Sequence, residues 1–480
     1  MKVSYSTAVL LYAAVANAHP SSFTSEKFQS LISQKSLLSD LKAFDQIASN
    51  NNGNRAFGEP GYVASVNHVK SRLEKSSRFK SWTQNFETDS SNIDLLSITV
   101  NGKSYNVKMP LGWAGGEARD LDITAPLAVL DWGSPGTCEH PYYNNNTDTT
   151  GKIVLMRRVN CHNPGKHSPH VDMSSSSLGY IFYEDNYEPL GVSKRSIFNN
   201  NKMMKREQYP FSFIQMSRAD GLELTSRLHA GEELIARFQF KTSPLKIESQ
   251  NVIAETKAGD PNKVILLGAH LDSGANSPGI NDNASGAALL LALFDAINQG
   301  KFRPKNKIRF AWWAGGQGYL NFGSSHYVLN LSKKESDSIL LYLNFDMVSR
   351  GRFGVYDGDG SRYGYYGYPG SEIIEKLFED YFTSMGLPVR PVHWHGDSDY
   401  YSFMSPEYVI KPVGGLHGGD ALLDDACWQQ TCDNLANANV THLEINTKAA
   451  AHALYVLSQT YKEIIPAVPY NQTAASMAGY

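Results

Sequence analysis

Three side chains that bind metal or move protons stand close together near the middle of the chain. His270 and Asp272 follow the apolar run Val264–Leu267, and Asp282 comes twelve residues after His270, inside Gly279-Ile280-Asn281-Asp282-Asn283-Ala284-Ser285-Gly286. An imidazole and carboxylates are the ligand types of zinc and similar divalent ions. Asp272, two residues from His270, could accept the second ring proton and so fix a metal-bound imidazole. A His-x-Asp alone is common in any strand–loop–helix unit; the whole string carries the metal reading.

The elements that must position these groups are a strand and a helix. Val264–Leu267 reads as a buried parallel strand, so His270 and Asp272 leave its carboxyl end, the edge where open α/β sheets collect their sites. The small residues and Asn/Asp of 279–286 suit a tight turn into a helix over Ala287–Ile297. From Ser249 to about Ile465 strands alternate with helices, with strands expected at Val252–Glu255, Val264–Leu267, Ile308–Trp313 and Ile339–Phe345. That alternation predicts an α/β fold with a mixed, largely parallel sheet flanked by helices, closed by an amphipathic helix over Lys448–Tyr461.

Two other textures precede it. Residues up to about Thr88 carry helical spacing, with Leu31, Leu37, Leu38, Leu41 and Phe44, then Val63–Leu73, interrupted by turn chemistry at Asn54–Gly58 and Pro60–Tyr62. From Ile93 to about Lys246 short apolar strands (Leu95–Val100, Leu127–Leu130, Ile153–Met156, Tyr180–Tyr183) alternate with Gly/Asn/Ser-rich turns, a β-rich insertion. The expected division is 1–18 leader, 19–92 helical segment, 93–246 insertion, 247–465 α/β domain and 466–480 tail.

The 480 residues suit two or three domains, and 41% hydrophobic with 19% charged residues indicates a globular chain. A net charge of −3 gives no electrostatic case for a nucleic-acid or anionic-membrane partner. Met1–Ala18 reads as a secretory signal with Ala16-Asn17-Ala18 at its cleavage site, and no later run is long enough to span a bilayer, so export to the outside or to a vacuole is expected. Cys427 and Cys432 are spaced for a small loop disulfide, leaving Cys138 and Cys161 as a second pair, although sequence leaves connectivity open. Acceptor patterns for N-glycosylation stand at Asn145, Asn330, Asn439 and Asn471; Asn283 fits the pattern but lies in the site turn.

His270-Leu271-Asp272-Ser273 followed by Gly279–Gly286 resembles the signature of the co-catalytic di-zinc aminopeptidases, the group of vacuolar aminopeptidase Y and the secreted fungal leucine aminopeptidases. The resemblance extends over several separated blocks. Asn54–Gly58 with Pro60–Tyr62 is similar to the N-terminal segment that frames the substrate cleft in that group. Gly151–Arg158 is similar to the central strand of a protease-associated domain, and His393–Asp399 with Tyr400 and Phe403 to the substrate-pocket segment. In that group two zinc ions share a water, and a Glu takes its proton.

Carried over position by position, the resemblance implies a split site. His270, the bridging Asp282 and Asp346, at the end of Leu343-Asn344-Phe345-Asp346, complete the first metal site. The second metal's Glu falls on Gln317 and its His on Gln429, while the general-base Glu falls on Gly316. No Asp or Glu occurs between Asp295 and Glu335, so no shift of register restores the pair. Glutamine carries no charge and cannot serve as a base near neutral pH. His417, in Gly414–Gly419, is a candidate surrogate ligand or base.

These substitutions imply a peptidase homologue with one zinc rather than two, acting on or binding peptide or protein N-termini, with hydrolysis impaired and no general base identified. Two other readings remain beside it: an active aminopeptidase through a rearranged site, and a non-catalytic interaction protein. Glutaminyl cyclases share the fold and use one zinc, but keep the opposite subset of ligands. Metal content separates the three readings: two ions, one, or none. Changing Gly316 and Gln317 to Glu and Gln429 to His is expected to restore the missing half.

Overall fold

The computed structural model describes residues 23–108, 118–130, 148–158, 177–184, 195–197, 213–317, 321–364, 367–394, 396–405, 409–419 and 424–464. The leader, Cys138, Cys161, Asn145 and Asn471 lie outside them.

The α/β core is a sheet built on four parallel strands: β10 (Asp260–His270), β11 (Asn306–Trp313), β12 (Ile339–Asp346) and β15 (Val413–His417), with spatial order β15-β12-β10-β11. On one side β13 (Phe353–Tyr356) runs antiparallel to β15 and parallel to β14 (Val389–Val392); on the other β9 (Ile235–Thr256) runs antiparallel to β11. The fold is therefore the expected mixed, mostly parallel sheet flanked by helices. Every residue of β12 is buried, as a strand covered on both faces requires. The carboxyl ends of the four parallel strands (His270, Trp313, Asp346 and His417) lie along one edge of the sheet.

The helix after the site turn, α5 (Ser285–Gln299), buries twelve of its residues, from Ser285 to Ile297. It lies between the sheet and a second layer formed by α2 (Gln34–Asn50) and α10 (Val440–Ile464), which explains why its apolar residues encircle it. Leu289, Leu290, Leu291 and Leu293 are each fully buried there, and each such side chain contributes about 1.5–3 kcal/mol. On α8 (Ser371–Ser384) only one stripe is apolar: Ile374, Leu377, Phe378 and Phe382 face the sheet.

The sequence boundaries at 92/93 and 246/247 both fall inside continuous strands. The helical segment ends with α3 (Pro60–Leu73), and β1 (Phe79–Val100) follows, so residues 79–92 are strand rather than helical segment. β1 pairs antiparallel with β9 from Phe79↔Thr256 to Val100↔Ala236. One end of this ribbon joins the α/β core through Phe79, Val252 and Ala254. The other joins a separate β-rich core through Ile98, Val100, Phe238 and Phe240. There β4 (Arg119–Leu130), β5 (Ile153–Arg158), β6 (Gly179–Glu184) and β8 (Phe213–Met216) form the sheet, with α4 (Arg218–His229) against it. The apolar alternation had marked only short pieces of β1 and β9, because the middle of β1, Thr88 to Asn92, is polar and the stretch of β9 opposite it, Ser243 to Ile247, is broken by Pro244.

Candidate active site

The turn between β10 and α5 is shaped from below. Gly279 adopts a left-handed backbone (φ 63°), and a Cβ there would stand 2.4 Å from the Asp282 carbonyl oxygen, so this position needs glycine. Asp282 and Asn283 depart from helical geometry and are joined by a cis peptide bond. Asn283 is fully buried: its carbonyl accepts from Gly286 N (3.0 Å) and Met347 N (3.2 Å), and its amide donates to Phe345 O (2.9 Å). It thereby binds the turn to the end of β12, and no glycan can reach it. Asn330 and Asn439 are exposed.

Two residues that sequence reasoning had left without a role hold this turn. Arg55 is fully buried; its guanidinium donates to the carbonyls of Leu271, Pro278 (3.0 Å) and Gly279 (2.7 Å), and its own N–H donates to Ser273 Oγ (2.8 Å). Burial pulls its pKa down to about 10, against the opposing charges of Asp272, Asp433 and Asp282. Asp433 accepts from the backbone N–H of Asn281 (2.8 Å) and Asp282 (3.0 Å), and burial pushes its carboxyl up to about 7. Arg55 stands in the Asn54–Gly58 turn and Asp433 directly after Cys432, and both act through main-chain atoms that no side-chain pattern reveals.

Above the turn, His270, Asp282 and Asp346 each offer a ligand atom, all within 4.8 Å of one another, and all three are buried. His270 Nε2 lies 3.3 Å from Asp282 Oδ1 and 3.5 Å from Asp346 Oδ1. Burial alone would lower the His270 pKa, but the Asp346 charge and the neighbouring carboxylates of Asp272 and Asp282 hold it well above its usual value. Asp346 Oδ1 is buried and accepts no hydrogen bond, an orphan that a cation would satisfy. Its other oxygen accepts from Ser398 Oγ (2.6 Å), which in turn accepts from Asn344 Nδ2 (2.8 Å). This donor set fits a divalent ion.

Asp272 offers His270 Nδ1 two acceptors. The main-chain carbonyl of Asp272 is the nearer acceptor for His270 Nδ1, at 3.1 Å, with the carboxylate at 3.5 Å. The carboxylate also accepts from the backbone N–H of Gly316 (3.0 Å) and Gln317 (3.2 Å), so it anchors the β11 loop as well.

That loop and the disulfide loop bring the substituted positions together. Gln317 Nε2 donates to Asp282 Oδ1 at 2.5 Å, and Gln429 Nε2 donates to Gln317 Oε1 at 2.9 Å. Cys427 and Cys432 are bonded and bracket Gln429, which sits in the left-handed region at φ 55°. Gly316 packs on His270: a Cβ there would stand 2.3 Å from the His270 Cβ. The expected change of Gly316 to Glu therefore does not fit this backbone unless His270 moves.

His417 ends β15 in register with Asp346, with Nδ1 accepting from Gly419 N (3.1 Å), but it is not one of the three residues of the close group. His442 is remote in role, stacked on Phe353 (4.2 Å). Tyr356, Trp394 and Tyr400 form an aromatic wall, Tyr356 stacking on Trp394 at 4.6 Å and meeting Tyr400 edge-on at 5.0 Å. Asn344 Nδ2 also donates to Tyr356 Oη (3.1 Å), tying this wall to Asp346 through Ser398. Asp399, at the end of the His393–Asp399 stretch, is fully buried, and burial pushes its carboxyl up to about 7.

The family model described as Peptidase family M28 matches residues 251–454, the segment that carries this site. An aminopeptidase of Pseudomonas aeruginosa is 33% identical over 456 residues, covering 88% of this chain and 81% of its own length. The chain belongs to peptidase family M28. The probable leucine aminopeptidase 2 of Aspergillus fumigatus is 32% identical, with 86% of this chain and 81% of the relative covered. Among solved structures, the aminopeptidase from Aneurinibacillus sp. strain AM-1 superimposes with a TM-score of 0.65 at 18% identity, covering 93% of this chain and 98% of its own. BSAP, a zinc aminopeptidase from Bacillus subtilis, gives 0.63 at 20% identity, covering 92% and 98%. These structural likenesses speak for the fold.

Proposed function

We propose that this M28 member is a secreted aminopeptidase homologue that engages peptide N-termini at a one-zinc site and has lost most of the hydrolytic capacity of its relatives. The carrying observation is the Gln429–Gln317–Asp282 chain of hydrogen bonds. His270, Asp282 and Asp346 would hold the ion, whose nitrogen and oxygen donors suit zinc and which supplies Lewis-acid polarisation of a carbonyl. Gln317 spends its amide on Asp282, and Gln429 spends its own on Gln317. Neither can bind a second cation as a carboxylate or imidazole would, and neither takes a proton at neutral pH. Asp272 is held by two backbone N–H groups, so it acts as an anchor rather than a base.

Export through the secretory pathway rests on the leader at Met1–Ala18 and agrees with the Cys427–Cys432 bond. The β-rich body is read as a protease-associated module that orients the substrate, and Asn330 and Asn439 as glycan acceptors. An active enzyme through a rearranged site has one observation in its favour: His417 stands beside Asp346 at the sheet edge.

The test is zinc content by plasma mass spectrometry on secreted protein, beside a panel of aminoacyl fluorogenic substrates with His270→Ala as control. About one ion per chain and no turnover above the control is expected, with binding of free but not acetylated N-termini in calorimetry. Two ions with chelator-sensitive turnover would overturn this reading and direct attention to His417.

A further inference from the structure

A second cluster of oxygen ligands lies outside the site just described. Immediately after β13, the loop Asp357-Gly358-Asp359-Gly360-Ser361 folds back over α8, Gly360 taking a left-handed backbone (φ 66°). Asp357, Asp359 and Glu375 of α8 each present a carboxylate oxygen, all within 4.8 Å of one another. The backbone builds this arrangement: Asp357 Oδ2 accepts from Arg362 N (3.2 Å) and Tyr363 N (3.0 Å), Asp359 Oδ1 from Ser361 N (2.8 Å), and Glu375 Oε2 from Asp359 N (2.9 Å).

The observation that points to a ligand is Asp357 Oδ1. Asp357 is 0% exposed, its Oδ2 is spent on the loop, and Oδ1 is buried with no hydrogen-bond partner. A lone buried carboxylate oxygen within reach of two further carboxylates is costly unless a cation or a proton lies among them. Burial pushes the Glu375 carboxyl up to about 7, with the charges of Asp359, Glu379 and Asp357 adding to it, which states the same charge deficit.

We propose that Asp357, Asp359 and Glu375 bind a hard divalent cation of the calcium class, separate from the His270 site. All donors are carboxylate oxygens with no imidazole or thiolate, the set that selects calcium or magnesium over zinc. A turn-borne, irregular cage suits calcium, which accepts loose geometry and completes its shell with water, better than magnesium. The ion would staple the 357–363 loop to α8. Trp394 Nε1 donates to the Asp357 carbonyl (2.7 Å), so this staple also fixes one end of the Tyr356–Trp394 wall.

Terbium, a luminescent stand-in for calcium, reads the site directly because the Trp394 indole is close enough to sensitise it. Full-length protein is titrated with terbium under indole excitation, then calcium is added, and melting is followed with calcium or with EDTA. The expected result is sensitised emission saturating at one ion per chain, displaced by calcium but not by sodium, and a melting temperature raised by calcium. Both effects are expected to persist in His270→Ala. In Asp357→Asn, which keeps an acceptor for Arg362 N and Tyr363 N, affinity falls by roughly tenfold or more. Glu375→Gln, which keeps the acceptor for Asp359 N, should lose affinity likewise, and near-ultraviolet dichroism verifies that both variants are folded. Absence of sensitised emission with melting indifferent to calcium would overturn the proposal in favour of a shared proton. Emission unchanged in both folded variants, or lost in His270→Ala, would overturn it as well.

Discussion

Gln317 Nε2 and Asp282 Oδ1 are 2.5 Å apart, the shortest side-chain contact the turn makes with the β11 loop. An amide therefore stands where it satisfies an oxygen of the carboxylate between the two halves of the site. Replacing that amide by a carboxylate turns attraction into repulsion unless a cation intervenes. Gln317→Glu alone should melt lower in chelator and recover with zinc. Gln317→Glu with Gln429→His should raise the bound zinc by about one ion per chain. Mass spectrometry of metal content measures this, and an unchanged count would show that the second half cannot be rebuilt.

Gly316 gives the opposite expectation. Because its Cβ would press on His270, Gly316→Ala should already destabilise by roughly 1–3 kcal/mol, as overpacking of a tight site does. Gly316→Glu should be no better and should lower zinc retention, since His270 must yield. Chemical denaturation and metal analysis of the two variants check it; a Gly316→Ala protein as stable as the parent would refute the clash.

Arg55 clamps three carbonyls of the loop that carries Asp272 and Asp282. Arg55→Met keeps the length but strips these buried acceptors of their donor. A loss of roughly 2–5 kcal/mol is expected from unsatisfied buried carbonyls and unbalanced carboxylates. Hydrogen exchange should localise the loosening to 271–282, and protection unchanged there would contradict the clamp.

Lys411 is buried, 3% exposed, and burial pulls its pKa down to about 8. The unfolded chain keeps that lysine protonated to its ordinary value, so between pH 8 and about 10.5 the unfolded state binds the extra proton and stability rises with pH. Lys411→Met should remove this slope and raise stability at pH 7 by on the order of 1–3 kcal/mol. Denaturation curves at pH 7 and pH 10 decide it, a retained slope in Lys411→Met counting against the assignment.

The α/β core was legible because Val264–Leu267, Ile308–Trp313 and Ile339–Phe345 are apolar runs that only a doubly covered sheet can bury. His270 and Asp282 were legible because a metal turn needs those side chains near a strand end, and Asp346 through the resemblance. The roles of Arg55 and Asp433 were hidden: their partners are carbonyls and amides of distant residues, which leave no side-chain signature. Asp272 was placed beside His270, but its two bonds to the backbone of Gly316 and Gln317 were hidden, since sequence spacing cannot say which main-chain groups a carboxylate meets. The length of β1 was hidden by its polar middle, Thr88 to Asn92, and that of β9 by Pro244, neither of which reads as strand.

That ribbon bears on how the chain can be divided. A fragment starting at residue 247 would keep the part of β9 that pairs with β11 yet lose β1 along its other side, opposite residues 247–256. The freed N–H and C=O groups would form a ready template for another strand, so the isolated α/β half should be prone to sticking to itself. A peptidase core in this architecture is best expressed with residues 79–92 attached or supplied in trans, and a nick between the two bodies should leave them associated.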